Sequence, residues 1–319
     1  MNDCLVTLHP QTLFFADIPI TTGTVQANGI ELAYESWGEI DKPVMLLVMG
    51  LSCQMWMWPD PFVALLVKQG FRVIRFDNRD IGGSNSVKRQ MSINLPLSYA
   101  RYRLGGLPKA HYTLHDMAED TLALINALKL TEVHLVGVSM GGMIAQLLAA
   151  KHPDKLASLT LLMTSTNHPN LPTPDLRLIK FVFARKLAGR NKQRVVDHQQ
   201  AMWETIGSPA YPTDPIMLRQ LLEKCFDRDF RPAGMMRQTH AILATGSLIK
   251  WSREITLPTQ IIHGIADLLI SVKASFQLKQ LITGAKLVTI PGMGHDIPQG
   301  LYQPISDIIT NHIKIHESA

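Results

Sequence analysis

A serine held between glycines is the first place in this sequence to look for chemistry. The run His134-Leu-Val-Gly137-Val-Ser139-Met140-Gly141-Gly142 sets Gly-x-Ser-x-Gly directly after an apolar stretch and before a helical one. A serine at a tight strand-to-helix turn has a strained backbone, and its neighbours must be small because the chain nearly touches itself. The helix that follows aims free N–H groups and its dipole at the same point, which favours developing negative charge. A serine hydroxyl is nevertheless a poor nucleophile unless a base takes its proton and a third group orients that base.

Candidates for both partners follow in the order Ser, Asp, His. Ile261-Ile-His-Gly-Ile-Ala-Asp267 places Asp267 on a glycine-containing turn after a strand-like run. Pro291-Gly-Met-Gly-His295-Asp296 places His295 in a glycine-rich loop after another such run. All three residues follow predicted strand C-terminal ends, where open α/β sheets gather their ligands. Asp296 is the rival acid, but being adjacent to His295 it does not easily fold back onto that ring. An oxyanion needs two converging backbone N–H groups. The expected donors are Met140, next to the serine, and Leu51, which follows Gly50 at the end of the apolar run 43–49. Glycine there allows close backbone approach.

The elements that must position these residues are legible. Strands are expected at Ile30–Trp37, residues 43–49 and 71–76, Val133–Val138, and residues 156–163. Helices are expected over residues 61–69, from the capping-box-like Thr113-Leu-His-Asp116 to about Leu128, and over Met140–Lys151. Short apolar strands separated by helices indicate βαβ units and a mostly parallel sheet. The rhythm breaks after Thr164, where Pro169, Pro172 and Pro174 precede long helical patterns. It resumes with strands at residues 259–263 and Lys286–Ile290 and helices at residues 272–281 and 305–313. The expected organisation is one α/β unit, residues 1–164 and 256–319, split by a helical cap of residues 165–255.

Several of these segments together resemble the α/β-hydrolase superfamily, in particular its capped bacterial esterases of the aclacinomycin methylesterase-like group. They are Phe76-Asp-Asn-Arg-Asp-Ile-Gly-Gly-Ser84, Tyr112-Thr-Leu-His-Asp-Met-Ala-Glu-Asp120, residues 137–142, 263–267 and 292–295, and Arg231-Pro-Ala-Gly-Met-Met-Arg-Gln238. The resemblance implies an α/β-hydrolase fold: a mostly parallel central sheet with helices on both faces and a helical cap. It also implies loop-holding roles for Asp77 and Arg79. One departure is that Met49-Gly50 stands where many relatives have His-Gly, and that His usually buttresses the loop. The expected activity is a serine hydrolase cleaving carboxylic esters through an acyl-enzyme, with Ser139, Asp267 and His295 as triad. The same triad serves lactone and C–C bond hydrolysis and perhydrolysis, because specificity lies in cap and pocket. A small-molecule receptor on this fold is the reading from another class, and a receptor of that kind would usually have lost a triad member.

Composition narrows the rest. The chain has 319 residues, 46% hydrophobic and 18% charged, the balance of a globular protein and not of a disordered or low-complexity one. Its net charge of +5 is uneven: residues 165–255 carry 14 Lys/Arg against 8 Asp/Glu, the remainder 17 against 18. Residues 184–194 are basic but lack interleaved aromatics or a nucleic-acid module, so a solvated cap helix is expected, with no nucleic-acid partner. Cys4, Cys53 and Cys225 form no disulfide framework, and no signal peptide or transmembrane run is evident, so a cytoplasmic protein without stable membrane association is expected. His111 and His115 lack the Glu of His-Glu-x-x-His, and no phosphate-binding glycine loop occurs, so neither metal nor cofactor is expected. Met49, Met140, Met235, Met236 and Met293 are candidates for an adaptable pocket wall or for gap-filling. Trp56 and Trp58, after the oxyanion loop, could wall the acyl side or pack in the core.

Overall fold

The apolar strand Val44–Val48 shows how this chain builds its core. Met45, Leu47 and the following Met49 enter the apolar cluster on one side of the sheet, while Leu46 and Val48 enter the cluster on the other. Side chains alternate along a strand, so a run apolar at every position has to be covered on both faces. The computed structural model describes residues 6–7, 12–15, 17–86, 94–178, 181 and 189–317, and Cys4 lies outside them, as do residues 184–188 of the basic run. The strands are β1 (Val6–Thr7), β2 (Thr12–Phe15), β3 (Ile18–Ala27), β4 (Ile30–Trp37), β5 (Val44–Val48), β6 (Arg72–Phe76), β7 (Val133–Val138), β8 (Leu156–Leu162), β9 (Thr259–Gly264) and β10 (Lys286–Ile290). They form one sheet in the order β1-β3-β4-β6-β5-β7-β8-β9-β10, with β2 paired to β3. From β6 to β10 every pairing is parallel, whereas β4 runs antiparallel to both β3 and β6.

Helices among the described residues are α1 (Asp60–Lys68), α2 (Leu95–Arg103), α3 (Leu114–Ala127), α4 (Met140–Lys151), α5 (Lys192–Ile206), α6 (Pro215–Arg228), α7 (Pro232–Thr245), α8 (Ile249–Glu254), α9 (Lys273–Leu281) and α10 (Tyr302–Glu317). Helices α1 and α10 cover one face of the sheet, where Phe62, Leu66, Ile305 and Ile309 cluster with Met45 and Leu47. Helices α3, α4 and α9 cover the other, where Leu124, Leu148 and Leu278 cluster with Leu46 and Val48. This is the α/β-hydrolase architecture. At the start of α3 the Asp116 carboxylate accepts hydrogen bonds from the Thr113 backbone N–H (2.7 Å) and hydroxyl (2.8 Å), as the capping pattern anticipates.

Among the elements beyond what the sequence pattern anticipates, β3 and α2 have a clear physical reason. β3 pairs with β4 around Asn28 and Gly29, both at positive φ (50° and 76°), with Ala27 opposite Ile30. Asn-Gly between strands is a strong signal for such a two-residue hairpin. The threonine-rich, half-buried β3 hides it, because it lacks the apolar run that marks the inner strands. Helix α2 presents the polar side chains Ser98 and Tyr102 to the protein, bonded to His240 (3.0 Å) and the Asn167 carbonyl (3.0 Å), and so carries no apolar periodicity to read.

Between β8 and β9 the described residues form helices and no strand. Helices α6 and α7 are joined to the loop after β6 by charge. Arg228 pairs with Asp77 (2.7 Å), Arg237 with Asp80 (2.6 Å), and Arg231 donates to the carbonyls of Ser84 (2.6 Å) and Gly82 (2.9 Å). Part of the basic surplus of residues 165–255 therefore neutralises acids of this loop. Arg79 is held in the same loop by a two-pronged pair with Asp120, both contacts at 2.6 Å.

The C-terminal helix carries a pH-dependent term. His312 on α10 is buried, and burial pulls its basicity below the usual imidazole value. The unfolded chain then takes a proton at about pH 6.5 that the folded chain refuses, so this residue lowers stability as pH falls below that value. His312→Leu is expected to flatten the loss of stability between pH 7 and pH 5 in urea unfolding. An unchanged pH slope would show that His312 does not contribute to it.

Candidate active site

Ser139 sits between β7 and α4 at φ 55°, ψ −120°, a region sparsely populated by non-glycine residues. Four glycines explain how the turn closes. A Cβ on Gly137 would lie 2.4 Å from the Gly141 carbonyl oxygen, one on Gly141 2.1 Å from that of Val48, and one on Gly142 2.6 Å from Thr164 Cβ. A Cβ on Gly50 would lie 3.2 Å from Ser139 Cβ and 3.7 Å from its Oγ, which places the end of β5 against the serine. The turn is also tied by hydrogen bonds. Ser139 N–H donates to the Leu162 carbonyl (2.9 Å), and the Ser139 carbonyl accepts from the Thr164 hydroxyl (2.7 Å). Gly141 has no positive φ, so its constraint is purely steric. Gly141→Ala is expected to cost about 3 kcal/mol or more, since the clash is with backbone. A thermal melt within a few degrees of the parent would contradict this.

Asp267 lies in the turn after β9, its carboxylate accepting three hydrogen bonds and facing a second imidazole. Oδ1 accepts from the backbone N–H groups of Leu269 and Ile270, both at 2.8 Å. Oδ2 lies 2.6 Å from His295 Nδ1 and 3.2 Å from His263 Nε2. Burial alone would raise the Asp267 pKa; the adjacent His295 and His263 imidazoles outweigh it and hold the carboxyl well below its usual range. His263, fully buried in β9, has Nε2 2.8 Å from the Ile270 carbonyl, which only accepts, so Nε2 carries the proton and Nδ1 accepts from the Ser275 hydroxyl (2.6 Å).

His295 reaches Asp267 from the loop after β10. Its backbone N–H donates to the Ile206 carbonyl at the end of α5 (2.7 Å), and the Gly294 N–H to the Ser208 hydroxyl (2.9 Å). A Cβ on Gly294 would meet the Gly207 carbonyl oxygen at 2.3 Å, so the histidine loop is seated directly on the segment after α5. Asp296 turns to that same segment, accepting from Ser208 (2.5 Å) and Thr213 (3.3 Å) hydroxyls, and not to His295. The structure thus brings Asp267 to His295 and Gly50 to Ser139. The Ser139 hydroxyl is not hydrogen-bonded to any described residue. Hydrogen bonds of this kind often tighten only with substrate bound.

The loop Met49–Met55 has its own supports, which the sequence did not reveal. Asn78 Nδ2 donates to the Met49 carbonyl (2.9 Å), Gln238 Oε1 accepts from Ser52 N–H (2.8 Å), and Asp77 accepts from Met55 N–H (2.7 Å). Leu51 N–H has no acceptor among the described residues, and Met140 N–H, as the first of α4, has no carbonyl a turn earlier to bond. Met49, Met140 and Met293 are packed in the apolar clusters, so they fill core space; Met235 and Met236 on α7 are half-buried. Trp58 is a core residue, while the Trp56 indole N–H binds Glu35 (2.7 Å) and its ring lies under Arg228 (4.3 Å). His115 packs edge-on against Trp251, and no group of three or more His, Cys, Asp or Glu among the described residues is placed to hold a metal ion. Among these residues no helix is long and apolar enough to cross a membrane.

Comparison with known proteins agrees with this fold. A family model described as the alpha/beta hydrolase fold matches residues 43–298. The chain is 25% identical over 313 residues to the rhodomycin D methylesterase DauP of a Streptomyces strain, covering 92% of this chain and 98% of that one. It is 23% identical to the rhodomycin D methylesterase DnrP of Streptomyces peucetius, with the same coverage. Among solved structures, an enol-lactonase from Burkholderia xenovorans superimposes with a TM-score of 0.71 at 24% identity, over 91% of this chain and 99% of that one.

Proposed function

The chain belongs to the alpha/beta hydrolase fold family, and from that premise we propose that it is a carboxylic ester hydrolase working through Ser139, His295 and Asp267. The observation that carries this reading is the Asp267–His295 pair at 2.6 Å, with Ser139 on its strained turn against Gly50. Ser139 Oγ attacks the ester carbonyl while His295 Nε2 takes its proton. Asp267 holds the imidazole with Nδ1–H inward, which leaves Nε2 as the base, and stabilises the imidazolium that forms. The N–H groups of Leu51 and Met140 receive the oxyanion as the tetrahedral intermediate builds. His295 passes its proton to the leaving alcohol, and water, deprotonated by the same imidazole, then hydrolyses the acyl-enzyme. Two methylesterases among the relatives support an ester, and residues 165–255, which seat the histidine loop at Ile206 and Ser208 and hold Ser52 through Gln238, serve as the cap that selects it. Treatment with a fluorophosphonate probe tests the reading: one label per chain, on Ser139, is expected, together with turnover of p-nitrophenyl and methyl esters. A chain that takes no label and cleaves no ester would overturn it in favour of a binding role.

A further inference from the structure

We propose that Gln238 is a positioning residue for the oxyanion loop, supplied from the helical segment between β8 and β9; this rests on the esterase reading. Three successive peptide planes make up the loop behind Leu51. The Met49–Gly50 plane is pinned at its carbonyl by Asn78 Nδ2 (2.9 Å). The Gly50–Leu51 plane is pinned at its carbonyl by the Cys53 N–H (3.4 Å). A trans peptide points its N–H opposite to its C=O, so this leaves Leu51 N–H on the other edge of the plane. The Leu51–Ser52 plane is pinned at its N–H by Gln238 Oε1 (2.8 Å). Ser52 itself has φ 61°, an uncommon value for a residue with a side chain, so the turn needs an external hold.

Gln238 is suited to provide that hold. It is fully buried, and its Nε2 donates to the Arg79 carbonyl (2.7 Å) while its Oε1 holds Ser52, so one amide ties two loops together. The helix that carries it is fixed in register. Arg237 clamps Asp80 with contacts of 2.6 and 2.8 Å, and a Cβ on Gly234 would lie 2.1 Å from the Asp80 carbonyl oxygen. Asn78 and Gln238 together brace the loop that begins at Met49, where no histidine stands to do so. Residues of the substrate-selecting segment thereby set the geometry of the reaction as well as its specificity.

An oxyanion donor counts only when it stands at hydrogen-bond distance from the developing charge. Loosening the loop should therefore raise the transition state and leave ground-state binding alone. Gln238→Met and Gln238→Leu, both apolar, similar in size and helix-compatible, remove both hydrogen bonds; two variants guard against one failing to fold. For p-nitrophenyl butyrate, kcat is expected to fall about 10- to 100-fold with KM little changed. Affinity for an alkylboronic acid, whose serine adduct is tetrahedral, should fall by a similar factor. Wild-type kcat and boronate affinity in a folded variant would overturn the proposal. So would a loss confined to KM, which would mark Gln238 as part of the substrate pocket. Parental protein that takes no fluorophosphonate label would instead sink the esterase reading, and this inference with it.

Discussion

Ser139→Ala is expected to lower kcat for ester hydrolysis by about ten-thousand-fold to a million-fold, with KM for the same ester close to that of the parent. The substitution removes the oxygen proposed to form the acyl-enzyme and disturbs nothing that holds the turn. The Ser139 N–H and carbonyl, not its hydroxyl, make the bonds to Leu162, Thr164, Gly142 and Met143. Residual activity is expected from the Leu51 and Met140 N–H groups alone. The backbone strain should remain in this variant, because alanine keeps the Cβ of serine. Ser139→Gly, equally inactive, is expected to be more stable than Ser139→Ala by about 1 kcal/mol, since glycine tolerates φ 55°. Burst kinetics and a thermal melt on the two variants check both parts. Retained turnover in either would remove Ser139 from the mechanism.

Asp267→Asn is expected to be nearly as damaging to catalysis and far more damaging to stability. All four groups around this carboxylate are donors: two backbone N–H groups, His295 Nδ1 and His263 Nε2. An asparagine amide replaces one acceptor oxygen with an NH2, which must then face donors. If it faces the imidazoles, His295 is driven to the tautomer with its proton on Nε2, which cannot act as base. A drop in kcat on the order of a thousand- to ten-thousand-fold follows. If it faces Leu269 and Ile270, two half-buried N–H groups lose their acceptor. Either arrangement is expected to cost about 2–4 kcal/mol. Because the folded pKa is depressed, the carboxylate's contribution to stability is complete above about pH 4 and is lost as acid protonates it, and the variant should lack that acid-sensitive component. Asp296→Asn is the control: that carboxylate serves Ser208 and Thr213, so kcat should hold. The opposite ranking of the two variants would make Asp296 the triad acid.

How much of this was legible in advance follows from the range of each interaction. The strands Val133–Val138 and Lys286–Ile290 and the helix Met140–Lys151 fall where the sequence places them, because each carries its own apolar pattern and turn residues lie close by at Ser139, Pro153, Gly284 and Pro291. The glycines around Ser139 announce close approach before any coordinate is known, and contacts of 2.1–2.6 Å to hypothetical Cβ atoms are the physical content of that signal. The final helix is legible only at residues 305–313 and extends over Tyr302–Glu317, because its polar ends carry no periodicity. His263 is visible as part of a motif, yet its service to Asp267 depends on Ser275, Ile270 and the curl of the chain after β9.

Local sequence by itself determined the kind of molecule. Alternating apolar runs dictate a parallel sheet covered on both faces, and the order Ser, Asp, His at strand ends singles out the three side chains proposed as the triad. These properties are local, since a strand's pattern and a turn's glycines act within a few residues. What only the tertiary structure decided is how the reactive loop is held. Gln238 lies 186 positions from Ser52, and Arg228 and Arg237 reach Asp77 and Asp80 across comparable stretches of chain. An amide or a guanidinium has no periodicity and no preferred partner until folding brings one within about 3 Å. The basic surplus of residues 165–255 was countable from composition, but only packing could show that part of it fastens these helices to the loops around the serine.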